Sequence, residues 1–217
     1  SLMNSAFPYS DKSLVLLSNS KTRMLIDWKA KKIEWMQSCK GESSEDWSKK
    51  SRSVAFVKDD NLFITNAEGK TSQLTTDGSH NIVYGQSVHR DEFGIYKGTF
   101  WSNDGSLLAF YRMDQSMVPD YPQVDIDTRI ATLEPEKYPM AGETSHKVTI
   151  GIYQVKSGKT IYLKAGDPTD RYFTNITWSP DDKKIYVIEL NRDQTDEELV
   201  CYDASTGEKI STLYREH

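Results

Sequence analysis

Apolar and polar residues alternate in short runs along the whole chain, and polar turn residues separate the runs. Alternation with a period of two is typical of half-buried β-strands. Several of these runs share one beginning: an aromatic residue and Ser, then a polar turn, then an apolar strand. Two clear copies and two weaker ones occupy residues 100–110, 177–187, 9–17 and 47–57. The pattern predicts a repeat built from short strands that pair into hairpins.

A second strand–turn–strand pattern follows each copy, with a glycine in the turn after three of them, at Gly69, Gly158 and Gly207. Two hairpins together make a four-stranded antiparallel sheet, which is the blade of a β-propeller. The predicted fold class is therefore all-β, a partial β-propeller of about four blades with inserted excursions. The alternative is the generic alternation of a β-sandwich. It is disfavoured because sandwich strands would not repeat the same aromatic-Ser turn at the head of each unit.

The spacing of the repeat predicts where the insertions lie. The repeated serines are residues 10, 48, 102 and 179, so the intervals are 38, 54 and 77 residues. A bare blade takes about 40 to 45 residues, so the two longer intervals must contain excursions. We predict one β-propeller domain fragment over 1–217, with these parts: blades at about 5–38, 45–75, 98–165 and 174–215, and excursions at about 76–97 and 114–147. Four prolines in the second excursion indicate extended or irregular backbone there.

Composition excludes several classes of function. The formal net charge of −5 argues against nucleic acid as a partner, because phosphate binding needs a basic surface. The chain contains neither a Gly-x-Ser-x-Gly nucleophile elbow nor a phosphate-binding loop. Its four histidines show no ligand spacing, so we predict no metal site and no cofactor. Cys39 and Cys201 are predicted to be free, buried thiols.

Two adjacent carboxylates, Asp91 and Glu92, lie in the first excursion just before the third repeat. Adjacent side chains do not share one face of a regular strand or helix, so a turn or an irregular helical segment is needed for them to act together. In that geometry the pair could bind an ammonium group through charge-assisted hydrogen bonds. The residues alone also allow a solvated acidic turn.

The chain resembles the propeller domain of the dipeptidyl peptidase IV subfamily of prolyl oligopeptidase-type exopeptidases, and especially its bacterial branch. The stretches that carry the resemblance are 88–102, 108–119, 138–153 and 191–194. The resemblance implies an eight-bladed propeller that caps a C-terminal α/β-hydrolase domain with a Ser, Asp and His triad. That domain is expected to lie outside this chain, so no catalytic residue is assigned here. A periplasmic or cell-envelope location in a bacterium is also implied.

The family carries a double-Glu motif that binds the free amino terminus of the substrate, and Asp91 and Glu92 occupy those two positions. Asp at the first position is one methylene shorter than Glu. The implied activity is removal of N-terminal di- or tripeptides after proline, with the propeller anchoring and gating the substrate. The family also has a propeller arginine that contacts a substrate carbonyl, but this role is not assigned to Arg23, because the stretch 19–24 is short.

Two partners follow from the resemblance, a peptide with a free amino terminus and the protein's own hydrolase domain. The alternative function is a non-catalytic β-propeller scaffold for protein–protein interaction. Four blades do not close a ring, so the first and last blades should present unpaired strand edges. We therefore also predict a homo-oligomer.

Overall fold

Strands and turns make up nearly all of the part of the chain that the computed structural model describes, which is residues 3–10, 12–89, 94–125, 132–137 and 145–217. A short 3-10 helix at Pro168–Asp170 precedes the last blade. Within these ranges no helix has the length and hydropathy needed to cross a membrane. The predicted all-β class is confirmed.

The described ranges contain nineteen strands, which run antiparallel to their neighbours and form four blades and one separate hairpin. Blade 1 consists of β1 (Asn4–Ala6), β2 (Leu14–Ser18), β3 (Thr22–Asp27) and β4 (Lys32–Ser38). Blade 2 consists of β5 (Ser43–Ser48), β6 (Ser53–Lys58), β7 (Asn61–Thr65) and β8 (Thr71–Gln73). Blade 3 contains β9 (Ile82–Tyr84), β10 (Thr99–Trp101), β11 (Leu107–Asp114), β14 (Lys147–Gln154) and β15 (Lys159–Tyr162). Between β11 and β14 stands the hairpin of β12 (Asp120–Asp125) and β13 (Thr132–Lys137). Blade 4 consists of β16 (Arg171–Trp178), β17 (Lys184–Asn191), β18 (Glu197–Asp203) and β19 (Lys209–Glu216).

The hydrophobic core lies between the blades, which is what distinguishes a propeller from isolated sheets. Three clusters of buried side chains fill the interfaces, one between each pair of neighbouring blades. For example, Leu25 and Trp35 of blade 1 pack with Val54 and Phe56 of blade 2. Each fully buried apolar side chain contributes about 1.5–3 kcal/mol, so the faces of the blades hold the repeat together.

The serine of the repeat closes the turn between the first two strands of a blade. The Oγ of Ser102 accepts from the backbone N of Leu107 at 3.0 Å, and the Oγ of Ser179 accepts from Lys184 at 3.0 Å. An aspartate two residues later accepts the hydroxyl proton of each serine. The Ser-x-Asp pattern is therefore a hydrogen-bonded turn, a structural role.

Equivalent tryptophans join blade 3 to blade 2 and blade 4 to blade 3. The indole Nε1 of Trp101 donates to the backbone oxygen of Asp46 at 2.9 Å, and Trp178 donates to Phe100 at 3.0 Å. In both cases the acceptor directly precedes the tryptophan of the previous blade, Trp47 or Trp101. We call these two bonds the tryptophan ladder.

Two features differ from a set of bare blades. In the first excursion, β9 adds a fifth strand to blade 3 by pairing with β11, which the sequence reasoning did not predict. The outward face of blade 1 carries apolar cross-strand rungs, in which Ile26 pairs with Ile33 and Met24 pairs with Met36. Ile33 is 53% exposed and Met36 is 60% exposed. The unpartnered surface of blade 1 is thus an apolar face as well as an edge.

Candidate functional site

Asp91 and Glu92, the predicted site residues, lie outside the described residues, as do their neighbours Arg90 and Phe93. Their role as a substrate anchor remains a prediction. The structure describes the residues on both sides of this four-residue segment, which we call the anchor segment (90–93). The contacts of those flanking residues define where the anchor segment begins and ends.

Buried apolar side chains hold both ends of the anchor segment. Val88 is 2% exposed and Ile95 is 5% exposed, and both belong to the core cluster between blades 3 and 4. Further along, Gly98 lies directly against the backbone of Gln86, since a Cβ at Gly98 would stand 2.1 Å from the oxygen of Gln86. The loop is therefore closed at its base by backbone contact that only glycine permits.

His89, the last described residue before the anchor segment, is enclosed by polar and aromatic groups. Its Nδ1 lies 3.0 Å from the Nε2 of His146, and the backbone N of Phe173 donates to its Nε2 at 3.4 Å. The ring of Tyr172 meets it edge-on, with the ring centres 4.7 Å apart. Burial, together with the charge of His146, lowers the pKa of His89 to about 3, so the imidazole is neutral at pH 7.

Sequence reasoning missed this histidine pair and treated the four histidines as scattered. His89 and His146 are 57 residues apart in sequence, and His146 comes just before β14 in blade 3. Both lie beside blade 3, since His89 comes shortly before β10 and His146 directly precedes β14. Sequence spacing carries no signal for such a contact, since ligand-type motifs depend on neighbours one helical turn or one hairpin apart.

A polar pocket of about 230 Å³ lies beside the base of the first excursion, on the side of blade 2. Its lining includes Glu45, Asp46, Tyr96 and Lys97. The Oδ2 of Asp46 accepts from Lys97 Nζ at 3.1 Å and from the hydroxyl of Thr99 at 3.0 Å. These bonds tie the C-terminal end of the excursion to the inner strand of blade 2.

Arg23 is held in an internal ion-pair cluster. Its side chain is 1% exposed, and its Nη2 lies 2.9 Å from Glu42 Oε2 and 2.5 Å from Glu45 Oε1. Gln37 accepts from Nη1 at 2.9 Å. A guanidinium with these partners stabilises the junction of blades 1 and 2, which agrees with leaving Arg23 without a substrate role.

Within the described ranges, one group of potential metal ligands was found, formed by Cys39, Glu42 and Glu45. The Arg23 guanidinium already forms ion pairs with both of these carboxylates. Burial raises the pKa of the Cys39 thiol to about 11, which disfavours the thiolate form that binds metals. The group is better explained as an ion-pair cluster. Both Cys39 and Cys201 are free and buried, as predicted.

A family model described as the dipeptidyl peptidase IV N-terminal region matches residues 10–217, nearly the whole chain. The chain belongs to this family. The family resemblance inferred from the sequence is thereby confirmed. The match begins between β1 and β2, so it includes the last three strands of blade 1 and the whole of blades 2 to 4.

Individual relatives of this dipeptidyl peptidase IV-type region come from bacteria and fungi. The crystal structure of a protein assigned as dipeptidyl aminopeptidase IV from Bacteroides ovatus superposes with a TM-score of 0.89 at 46% identity, covering 98% of this chain and 30% of that one. Porphyromonas gingivalis dipeptidyl peptidase 4 gives 0.77 at 25% identity, covering 99% and 30%. A protein named probable dipeptidyl-aminopeptidase B from Uncinocarpus reesii is 36% identical over 176 residues, 73% of this chain and 19% of its own.

The chain thus spans about a fifth of the curated relative and less than a third of each solved structure. Its relatives are named as dipeptidyl aminopeptidases, and this chain corresponds to an N-terminal region of such a protein. Fungal as well as bacterial relatives match, so the comparisons do not assign the chain to bacteria.

Proposed function

We propose that this chain is the substrate-anchoring and gating part of the propeller in a serine exopeptidase that removes N-terminal di- or tripeptides. Asp91 and Glu92 bind the free amino terminus of the peptide in this proposal. The observation that carries it is the burial of Val88 and Ile95, which fixes both ends of a four-residue segment that contains two carboxylates. A solvated acidic turn does not need such anchoring on both sides.

In this proposal, the distance from the bound amino terminus to the nucleophile determines which peptide bond is cleaved. An ammonium group held by two carboxylates places one end of the peptide, and the nucleophile of a separate hydrolase domain reaches only the bond a set number of residues away. Anchoring also replaces a diffusional encounter by a positioned one. A blocked amino terminus would leave the two carboxylates without a cationic partner, which accounts for selectivity towards free amines. Cleavage after proline is carried over from the family resemblance.

The role of Glu92 is tested by Glu92→Gln in the full-length parent protein, which retains the shape of the side chain and removes its charge. We expect kcat/KM for a Pro-containing peptide with a free amino terminus to fall roughly 200- to 5,000-fold, the loss that corresponds to breaking an ion pair worth about 3–5 kcal/mol. The same peptide with an acetylated amino terminus should lose little. Glu68→Gln, at an exposed position in the turn of blade 2, is the matched control.

Unchanged cleavage of the free-amine peptide by Glu92→Gln would refute the assignment. Asp91→Asn tests the first position separately. A smaller loss than for Glu92→Gln is expected there, because the shorter side chain of Asp91 reaches less far.

The alternative, a propeller that serves only as a protein-binding scaffold, differs in the sequence that follows this region. A parent that lacks a Gly-x-Ser-x-Gly nucleophile elbow downstream would favour the scaffold. Membership of the dipeptidyl peptidase IV N-terminal region family supports the peptidase-associated function instead.

A further inference from the structure

We propose that a cavity between the inner strands of the blades binds acidic residues of the peptide substrate, at a distance from its amino terminus. This inference rests on the proposed function for the identity of its ligand, a peptide. The cavity has a volume of about 740 Å³. Pockets that bind ligands typically have volumes of about 300–1,000 Å³. We call the cavity the lysine pocket, after Lys12, Lys49, Lys50 and Lys97 in its lining.

The lysine pocket lies where three blades meet. The strands β5, β10 and β16, which begin the four-strand paths of blades 2, 3 and 4, all contribute to its lining. The blades of a propeller surround a central channel, so a cavity shared by these strands faces that channel. Asp46 and Lys97 also line the 230 Å³ pocket beside the base of the first excursion. The two pockets therefore adjoin each other at this ion pair.

Positive charge dominates the described lining of the lysine pocket. Four lysines and one aspartate line it, an excess of three positive charges in a chain whose formal net charge is −5. Lys97 pairs with Asp46, whereas the other three lysines form no ion pair with a described residue. A concave surface with charges of one sign concentrates ligands of the opposite sign. The lining therefore favours a carboxylate ligand.

Cations also gather on the aromatic ring of Tyr9, at the blade 1 side of the pocket. Lys12 Nζ lies 5.1 Å from the centre of this ring, and the guanidinium carbon of Arg52 lies 5.7 Å from it. The Tyr9 hydroxyl donates to the backbone oxygen of Lys49, which ties the ring to the turn of blade 2 that carries Lys49 and Lys50. Like charges held this close repel each other, and a bound carboxylate offsets that repulsion.

Aromatic side chains form the apolar part of the lining. The indoles of Trp101 and Trp178 both line the pocket, and the bonds of the tryptophan ladder fix their orientation. Phe100 lies between them in the lining, with Lys97 Nζ 5.2 Å from its ring centre. Fixed aromatic rings offer a large contact area at a low cost in conformational entropy. The ligand that suits both parts of the lining is a peptide with apolar as well as acidic side chains.

Binding to the lysine pocket is tested on the full-length parent with two labelled peptides. One alternates Glu and Phe, the other alternates Gln and Phe, and both have an acetylated amino terminus that offers no ammonium group to Asp91 and Glu92. Fluorescence anisotropy at low salt should show about fivefold tighter binding of the Glu peptide, because exposed ion pairs each contribute little. The difference should disappear at about 1 M salt, where the Debye length is about 3 Å.

A matched pair of variants locates the effect. In Lys49→Gln combined with Lys50→Gln, the preference for the Glu peptide should fall below about twofold. The control is Lys183→Gln combined with Lys184→Gln, which removes the same charge from the corresponding turn of blade 4. Both control lysines are exposed and neither lines the lysine pocket. The control should therefore retain the preference of about fivefold.

Steady-state kinetics then connect the lysine pocket with cleavage. The substrates have a free amino terminus and a proline, followed by either the Glu and Phe or the Gln and Phe extension. We expect kcat/KM to be about fivefold higher for the acidic extension in the unchanged parent and in the blade 4 control. This ratio should fall below about twofold when Lys49 and Lys50 are replaced.

Equal binding of the two acetylated peptides to the unchanged parent would overturn the inference. An equal loss of preference in both lysine variants would also overturn it, since the overall charge of the protein would then explain the effect. Failure of the proposed function has a different signature, because Glu92→Gln then leaves the preference for a free amino terminus intact. The anisotropy of the acetylated peptides does not depend on that result, so it still supports or overturns the lysine pocket as a binding site.

Discussion

Asp182 is the residue through which the turn of blade 4 supports the turn of blade 3, and its replacement should weaken the whole repeat. Its Oδ1 accepts from the backbone N of Asn103 at 2.8 Å and from Asn103 Nδ2 at 2.7 Å. Its Oδ2 accepts from the backbone N of Asp104 at 2.9 Å. Asp182→Ala removes all three bonds at once and leaves alanine at a φ of +58°.

The magnitude follows from these contacts. Hydrogen bonds to a charged group contribute about 1.5–3 kcal/mol each when buried, but this carboxylate is half-exposed, and water replaces part of what is lost. We therefore expect Asp182→Ala to lower the free energy of unfolding by about 2–3 kcal/mol. Asp182→Gly loses the same bonds but relieves the left-handed backbone, so it should lose about 1 kcal/mol less. Asp182→Asn retains one acceptor oxygen and tolerates this φ, so a loss of about 1 kcal/mol is expected.

Urea unfolding followed by circular dichroism gives these differences, and a double-mutant cycle isolates the contact between blades. Asn103→Ala combined with Asp182→Ala should show a coupling energy of at least about 0.5 kcal/mol. Stability of Asp182→Ala within about 0.5 kcal/mol of the unchanged chain, or strict additivity with Asn103→Ala, would refute the reasoning. The turns would then be neighbours without energetic contact.

Three further predictions concern other parts of the chain. Gly105→Ala should lower the free energy of unfolding by about 2–4 kcal/mol, because φ is +75° and a Cβ would stand 2.5 Å from a serine Oγ of blade 2. The control Gly41→Ala has a similar φ of +70° but no atom within 4 Å of the new Cβ, so it should show only the cost of the left-handed backbone. Equal losses for the two variants in urea unfolding would contradict this prediction. Because the pKa of His89 is lowered to about 3 in the folded chain, its imidazole is protonated below about pH 6.5 only in the unfolded chain. The free energy of unfolding should therefore decrease as the pH falls from about 6.5 towards 3. In His89→Gln, the slope of the free energy of unfolding against pH should be smaller by up to about 1.4 kcal/mol per pH unit. Parallel curves for the variant and the unchanged chain would contradict this prediction. The predicted self-association should weaken when Ile33 and Met36 are both replaced by Lys. Light scattering that shows the unchanged chain to be monomeric across a wide concentration range would rule out self-association.

Much of the fold follows from local sequence, because the propeller repeats the same short-range chemistry. The alternation of apolar residues predicts the strands, and the positions of Ser102 and Ser179 mark the turns that their hydroxyl groups close. Long-range geometry was not predictable in the same way. The strand β9 depends on pairing with β11 rather than on its own three residues. The approach of Gly98 to Gln86 likewise becomes visible only once the loop is closed.

The candidate site likewise has one part that the local sequence indicates and one part that it does not. Asp91 and Glu92 stand out as adjacent carboxylates, but the residues alone favour a solvated acidic turn, and only the family resemblance favours a substrate-binding role. The histidine pair could not be found from sequence, since its two members are far apart in the chain and come together through an excursion of irregular length. Local patterns report turns and strands, whereas a site formed by two insertions depends on where each insertion returns.

The tryptophan ladder has an evolutionary consequence. Blade 3 both gives an indole N–H to blade 2 and offers a backbone oxygen to blade 4, whereas the indole N–H of Trp47 in blade 2 has no hydrogen-bond acceptor among the described residues. An internal gene duplication of a repeat like blade 3 therefore copies a donor together with an acceptor. The new junction is then satisfied without compensating mutations. A duplication of half a repeat lacks this property and leaves a junction incomplete, which favours lineages that add or lose whole blades.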